Sequence, residues 1–109
     1  MKILYCGMKE DTKKLAEEVY DRFDYSGEYV ENADLTVSIK RLRRAIERND
    51  VLVVDLSFLS STTAILIALA EEHNLEIIGY YTQEPPQETR YSYSCDIIQS
   101  IDNVIDYFR

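Results

Sequence analysis

Four consecutive hydroxyl residues, Ser60, Ser61, Thr62 and Thr63, stand where a strand-like run gives way to a helix-like one, shortly after the carboxylate of Asp55. The first turn of a helix leaves backbone N–H groups without partners and carries a partial positive charge. Hydroxyls beside it add donors, and the combination binds phosphate or carboxylate. Capping alone needs one hydroxyl. The run exceeds that need, so Ser60, Ser61 and Thr62 read as a phosphate subsite. Asp55 can orient a sugar hydroxyl or act as a base, with Ser57 beside it; equally, it can organise the loop by accepting nearby backbone N–H groups. Two more strand ends, Tyr5-Cys6-Gly7 and Gly79-Tyr80-Tyr81, supply a thiol, a glycine and aromatic walls. Tyr5 and Tyr81 can stack on a base, or can simply be core or rim.

Other chemistries find little support. Cys6 becomes a nucleophile only if a cation or helix start lowers its pKa; otherwise it is a buried, inert thiol. His73 is the single histidine, so no metal site and no cofactor is expected. There is no Walker lysine motif, GxGxxG, GxSxG or zinc spacing.

These residues need a scaffold, and the hydrophobic pattern predicts one. Ile3 to Cys6 is a short apolar run, a buried strand that turns at Gly7. Asp11 or Thr12 can cap a helix whose apolar side is Leu15, Val19 and Phe23, with Ser26-Gly27 breaking it. Glu28 to Glu31 suits a short second strand. Asp34 can cap a second helix with Leu35, Ile39, Leu42 and Ile46 as its stripe. Asp50 anchors the start of the next strand. Val51 to Val54 is continuously apolar and mostly β-branched, which predicts a central strand covered on both faces. Ala64 to His73 is a third helix, apolar nearly all round, and Asn74 suits the left-handed position beyond its end. Glu76 to Tyr81 is a further strand. Residues 82–88 form a loop around Pro85-Pro86. Tyr91 to Ser94 is a last short strand, and Ser100 caps a closing helix that buries Val104 and Phe108. Alternating strands and helices give right-handed crossovers and a parallel sheet. The expected fold is one α/β domain over residues 1–109: a Rossmann-like (flavodoxin-like) three-layer sandwich with a four- to five-stranded, mainly parallel sheet. In such sheets ligands sit outside the carboxyl ends of the strands.

Composition narrows the partners. The chain has 109 residues and a net charge of −8, with a pI near 4.6. An acidic surface repels phosphate backbones at long range, so general nucleic-acid binding is not expected. One local exception is Lys40, Arg41, Arg43, Arg44 and Arg48, five of twelve basic residues within nine positions. It reads as a solvated helix face or as a docking patch for an acidic partner or second protomer. Cys6 and Cys95 lack a CxxC spacing and read as reduced thiols. No secretory leader is visible, and no apolar run approaches the ~20 residues of a membrane span. A cytoplasmic location without membrane contact is expected.

The segment from Asp50 to Ala70, DVLVVDLSFLSSTTAILIALA, resembles the central motif of the nucleoside 2-deoxyribosyltransferase superfamily, closest to its 2′-deoxynucleoside 5′-monophosphate N-glycosidase branch. The opening Leu4-Tyr5-Cys6-Gly7, the stretch Thr89 to Tyr93 and the end from Ile101 to Phe108 are similar to that family's first strand, last strand and last helix. The resemblance implies cleavage or transfer at the N-glycosidic bond of a deoxynucleotide by a homodimer. Ser60 falls at the phosphate serine, Thr89 near a hydroxyl supplied across the dimer, and Tyr5 within one residue of a site tyrosine. The nucleophile glutamate position holds Leu66, and the sugar-holding aspartate falls near Leu42. Glycosidic cleavage through a covalent sugar needs that carboxylate. The expected function is therefore binding of a nucleotide or related phosphate ligand without turnover. Two alternatives stand beside it: an N-glycosidase or transferase using Asp55, and an adaptor that binds proteins through the basic helix over residues 34–48.

Overall fold

The computed structural model describes residues 1–31, 38–57, 60–80, 96–98 and 101–109. In chain order these form β1 (Lys2–Gly7), α1 (Lys9–Phe23), β2 (Ser26–Glu31), α2 (Ile39–Arg48), β3 (Val51–Asp55), α3 (Ser61–Glu72), β4 (Glu76–Tyr80), β5 (Asp96–Ile98) and α4 (Ile101–Tyr107). All strand pairs are parallel, and the order across the sheet is β2-β1-β3-β4-β5. This is the flavodoxin-like arrangement expected from the alternation of strands and helices.

The pleat sorts the core into two layers. Leu4, Cys6, Leu52 and Val54 face Leu42, Ala45 and Ile46 of α2 and Leu66, Ile67, Leu69 and Ala70 of α3. Ile3, Tyr5, Val51, Val53, Ile78 and Tyr80 face Leu15 and Val19 of α1, Val104 and Ile105 of α4, and Phe108 just beyond it. Every residue of β3 is buried, which is why its sequence cannot alternate: both faces of a central parallel strand are covered. Asp50 ties β3 to the start of β1, with its Oδ2 accepting the Lys2 amide at 2.9 Å and its own amide donating to the Lys2 carbonyl at 2.8 Å.

Several boundaries differ from expectation. α1 starts at Lys9 after Met8, which makes no side-chain cap. Asp11 and Thr12 therefore lie inside the helix, where Glu10 and Asp11 in the first turn complement the dipole. The helix ends at Asp24, in the left-handed region at φ 58°, whose amide reaches the Tyr20 carbonyl at 2.8 Å. Ser26 and Gly27 are already strand. The capping residue of α2 is Ser38, which accepts the Arg41 amide at 3.2 Å; Asp34 and Leu35 lie outside the described residues. Ile39 has the right angular position but is 54% exposed, so the buried stripe is Leu42, Ala45 and Ile46. α3 begins at Ser61, three residues ahead of Ala64, because Ser60 caps it. Asn74 does adopt φ 57° beyond that helix. The strand expected at Tyr91 to Ser94 lies outside the described residues, and β5 is Asp96–Ile98.

Candidate functional site

In this strand order the sheet changes direction between β1 and β3, so the carboxyl ends of those strands flank the crevice where ligands of such folds sit. Gly7 closes β1 there. A β-carbon on Gly7 would lie 2.5 Å from Thr12 Oγ1, 3.1 Å from Asp55 Cβ and 3.2 Å from the Tyr80 hydroxyl oxygen. Four elements thus converge: β1 with Gly7, α1 with Thr12, β3 with Asp55 and β4 with Tyr80. Glycine is required here by space, not by a positive φ.

Asp55 is fully buried. Its Oδ1 accepts the Ser57 amide at 2.9 Å, the loop-organising role that a strand-end aspartate commonly takes. Its Oδ2, Thr12 Oγ1 and the Tyr80 hydroxyl are all buried without a hydrogen-bond partner among the described residues. Thr12 Oγ1 approaches the Tyr80 hydroxyl closely enough to ease its ionisation, without the geometry of a formed hydrogen bond. Burial dominates and pushes the Tyr80 phenol up; Thr12 opposes this, and Asp55, Asp11 and Cys6 add to it. The cluster is a polar knot inside the fold, with Asp55 fully buried.

On the other face of β1, Cys6 Sγ lies 3.8 Å from Thr63 Oγ1. Burial pushes the thiol up to about 12, against the Thr63 contact and with the Asp55 charge, so it is protonated and unreactive near neutral pH. Thr63 Oγ1 also shares a 3.0 Å hydrogen bond with Ser60 Oγ, which accepts the Thr63 amide at 3.1 Å. Thr62 and Thr63 are buried, Ser60 is half-buried, and only Ser61 of the four hydroxyl residues is exposed. Ser60 is therefore committed to capping, and the run divides between cap, core and a single exposed rim residue. Thr62 and Ser57 each have polar partners, and Ser57 is buried.

Tyr5 is 1% exposed, packed in the α1 and α4 layer over Gly27, so its ring is core and offers no wall to a base. Tyr81 and Thr89 lie outside the described residues. The structure thus brings together Gly7, Asp55 and Ser57, and separately Ser60 to Thr63. Thr12 was missed as a site residue. It extends the Leu15, Ala16 and Val19 side of α1 by one turn, and a hydroxyl on an apolar stripe was the available signal. Among the described residues no group of three or more His, Cys, Asp or Glu could hold a metal, and no helix is long and apolar enough to cross a membrane.

The basic segment occupies α2. Leu42, Ala45 and Ile46 face the sheet, while Lys40, Arg41, Arg43, Arg44 and Arg48 are exposed. Arg48 pairs with Glu28 on β2, and Asn49 Nδ2 donates to Glu28 Oε2 at 2.9 Å. Burial opposes the Glu28 charge, but the hydrogen bonds from Arg48 and Asn49, with the charges of Arg48 and Arg41, hold the carboxyl below its usual range. Lys40, Arg41, Arg43 and Arg44 form no ion pair among the described residues.

No protein-family profile and no curated protein matches the chain. Solved structures do. A pilus assembly-related protein from Burkholderia pseudomallei superposes with a TM-score of 0.70 at 17% identity, over 99% of this chain and 86% of that one. A 3-dehydroquinate dehydratase-like protein from Bifidobacterium longum gives 0.61 at 12% identity, over 100% and 98%. The receiver domain of a Francisella response regulator gives 0.57 at 19% identity, over 97% and 91%. These likenesses define the class, a flavodoxin-like α/β domain, and carry the fold alone.

They also overturn the resemblance to the nucleoside deoxyribosyltransferases, to which none of these neighbours belongs. The shared pattern is an apolar strand, a strand-end aspartate, a hydroxyl cap and an apolar helix. Here Asp55 organises the loop after β3 and Ser60 caps α3, roles that such residues commonly take at a strand-to-helix crossover, so the pattern is architectural. Leu66, at the position compared with the nucleophile, is a fully buried core side chain. With that family goes its reason for a homodimer and for a hydroxyl at Thr89.

Proposed function

We propose that this chain is a non-catalytic interaction domain that binds an acidic protein partner through the cationic face of α2. One observation carries this. Lys40 and Arg41 occupy the first turn of α2, which holds no acidic residue, although that end of a helix already carries partial positive charge. Lys40 with Arg44 and Arg44 with Arg48 repeat like charge at i,i+4, and Lys40 with Arg43 and Arg41 with Arg44 at i,i+3. Each such pair costs a helix about 0.2–0.5 kcal/mol. Part of this is offset inside the fold, by Glu28 beside Arg48 and Arg41 and by Glu47 at i,i+4 from Arg43 and i,i+3 from Arg44. Lys40 is offset by neither, and a charge kept against the local rule points to a use outside the fold. The test is fluorescence anisotropy with a labelled glutamate-rich peptide. Binding should weaken as salt rises and vanish in Arg43→Glu/Arg44→Glu. Binding that ignores this substitution, or no binding by a folded wild-type chain, rejects the reading.

A second reading is a nucleotide or other phosphate ligand held without turnover at the start of α3. Ser61 is exposed there and Ser60 half-buried, at the carboxyl edge of the sheet, where flavodoxin-like sheets take their ligands. A melting-temperature panel of nucleotides, nucleosides and inorganic phosphate tests it, since a ligand bound only by the native state raises Tm. No shift at millimolar ligand removes it. We propose a cytoplasmic location as well, a reading supported by Cys6 as a free thiol.

A further inference from the structure

We infer that the acidic partner is engaged as an extended segment that adds a strand to the outer edge of β2, with its acidic side chains reaching the arginines of α2. The inference rests on the interaction-domain reading and names how that surface takes its partner.

β2 ends the sheet. It pairs with β1 through six register positions, from Lys2 with Ser26 to Gly7 with Glu31, and among the described residues no strand pairs with its other side. Alternate residues of a strand turn their N–H and C=O away from its neighbour, so β2 presents an unpaired row of backbone groups. Edges are usually blunted by charged side chains, lysine above all, by proline or by a bulge, and here only the strand's last residue, Glu31, sets an exposed charge on the edge. Ser26-Gly-Glu-Tyr-Val-Glu31 carries no lysine and no proline, and its register with β1 runs without a break. Glu28, the half-buried carboxylate on this strand, is already bound by Arg48 and Asn49.

The ground beside the edge is prepared. A cleft of about 80 Å³ lies between β2 and α2, lined by Glu28, Val30, Arg41, Leu42, Ala45 and Arg48. An incoming strand places every second side chain on the α2 side of the sheet. An apolar side chain there meets Val30 and Leu42, and an acidic one meets Arg41, which has no ion-pair partner among the described residues. Strand addition takes its affinity from main-chain hydrogen bonds and its specificity from such alternate side chains.

Charge and backbone chemistry select the occupant. A nucleic acid satisfies the arginines but has no strand to offer the edge, and the net charge of −8 opposes it elsewhere. A second copy pairing β2 to β2 about a two-fold axis brings two α2 helices together on one face of the joined sheet, cation against cation. An acidic polypeptide satisfies both the edge and the helix.

The experiment uses the full chain and three fluorescein-labelled peptides of alternating Glu and Val: an unmodified parent, one N-methylated on the Glu residues and one on the Val residues. N-methylation removes amide donors from one edge of an extended strand at a time. Strand addition predicts that one methylated peptide loses more than about tenfold in affinity, as expected for two or more lost hydrogen bonds at about 1 kcal/mol each, while the other stays within about threefold of the parent. Loss with both, or with neither, overturns the strand mode. If neither methylation matters but Arg43→Glu/Arg44→Glu still abolishes binding, the charge-driven function stands and only this inference fails. Oligothymidylate of equal charge binding more tightly than the parent peptide overturns both. So does a failure of the parent peptide to bind.

Discussion

Gly7 is pressed against Thr12: a β-carbon at position 7 would stand 2.5 Å from Thr12 Oγ1. Thr12 sits in α1, so this contact sets how closely the first helix approaches the sheet. Gly7→Ala should destabilise the fold by about 1–3 kcal/mol, the usual cost of overpacking a well-filled interior. Pairing it with Thr12→Ala, which removes the hydroxyl in the way, should return part of that loss. Urea unfolding of both single variants and the double variant measures the coupling. Strictly additive losses would mean that Asp55 Cβ and Tyr80, at 3.1 and 3.2 Å, set the approach instead.

Asp55 holds the turn after β3 through one oxygen, and its other oxygen is buried without a hydrogen-bond partner among the described residues. Asp55→Asn keeps an acceptor for the Ser57 amide and offers a donor where Oδ2 has nothing to bind. It should leave stability unchanged or raised. Asp55→Ala strands the Ser57 amide and should cost about 1–3 kcal/mol, the desolvation penalty of an unmet buried group. Denaturant midpoints decide, and a large loss with Asn would indicate a partner that requires the carboxylate.

The Cys6 thiol is pushed up to about 12 by burial, whereas an unfolded cysteine titrates near 8.5. The folded state holds its proton more tightly. The stability this contributes is complete below the unfolded value and is lost as pH rises toward about 12. Tyr5 and Tyr80 are raised in the same direction by burial, so alkaline unfolding should be cooperative. In a Cys95→Ser background, Cys6 should react with a disulfide reagent at pH 8 only as fast as the protein unfolds. Immediate labelling would show an open path to β1.

Glu28 shows the opposite linkage. Its carboxyl is held low in the fold by Arg48, Asn49 and Arg41, so its contribution is present at neutral pH and fades as pH falls through its lowered value. The pair is largely exposed, so the effect should be small and should shrink in high salt. Comparing wild type with Glu28→Gln between pH 5 and pH 2, at low and high salt, tests this. A difference that survives high salt would point to the Asn49 hydrogen bond, not to charge.

The periodicities made the sheet readable. The unbroken apolar run of Val51 to Val54 could only be a central strand, and Asn74 could only mark a helix end at so low a cost in strain. Local polar bonds were harder to place. Ser60 and Thr63 satisfy each other, so a run that looked open to a ligand is largely internal. Asp24 ended α1 three residues before Gly27, the glycine that seemed to do so, because aspartate also tolerates the left-handed region. The convergence of Thr12, Asp55 and Tyr80 on Gly7 joins three crossovers, and no single stretch of sequence contains it.

The sharpest prediction concerns Lys40, in the first turn of α2. If the cationic face were merely a solvated surface, replacing Lys40 with glutamate would improve the protein in every respect. It places an acidic group at the positive end of the helix dipole, worth about 0.3–1 kcal/mol, and it relieves repulsion with Arg43 and Arg44 at helical spacing. Lys40→Glu should therefore raise Tm. On the interaction reading, the same change should weaken glutamate-rich peptide binding severalfold at low salt, with the deficit closing as salt rises. Opposite movement of stability and affinity in one variant is the signature of a charge kept for a partner at the expense of the fold. A rise in Tm with undiminished affinity would confine the binding surface to the arginines of α2, of which Arg41 and Arg48 line the cleft beside β2.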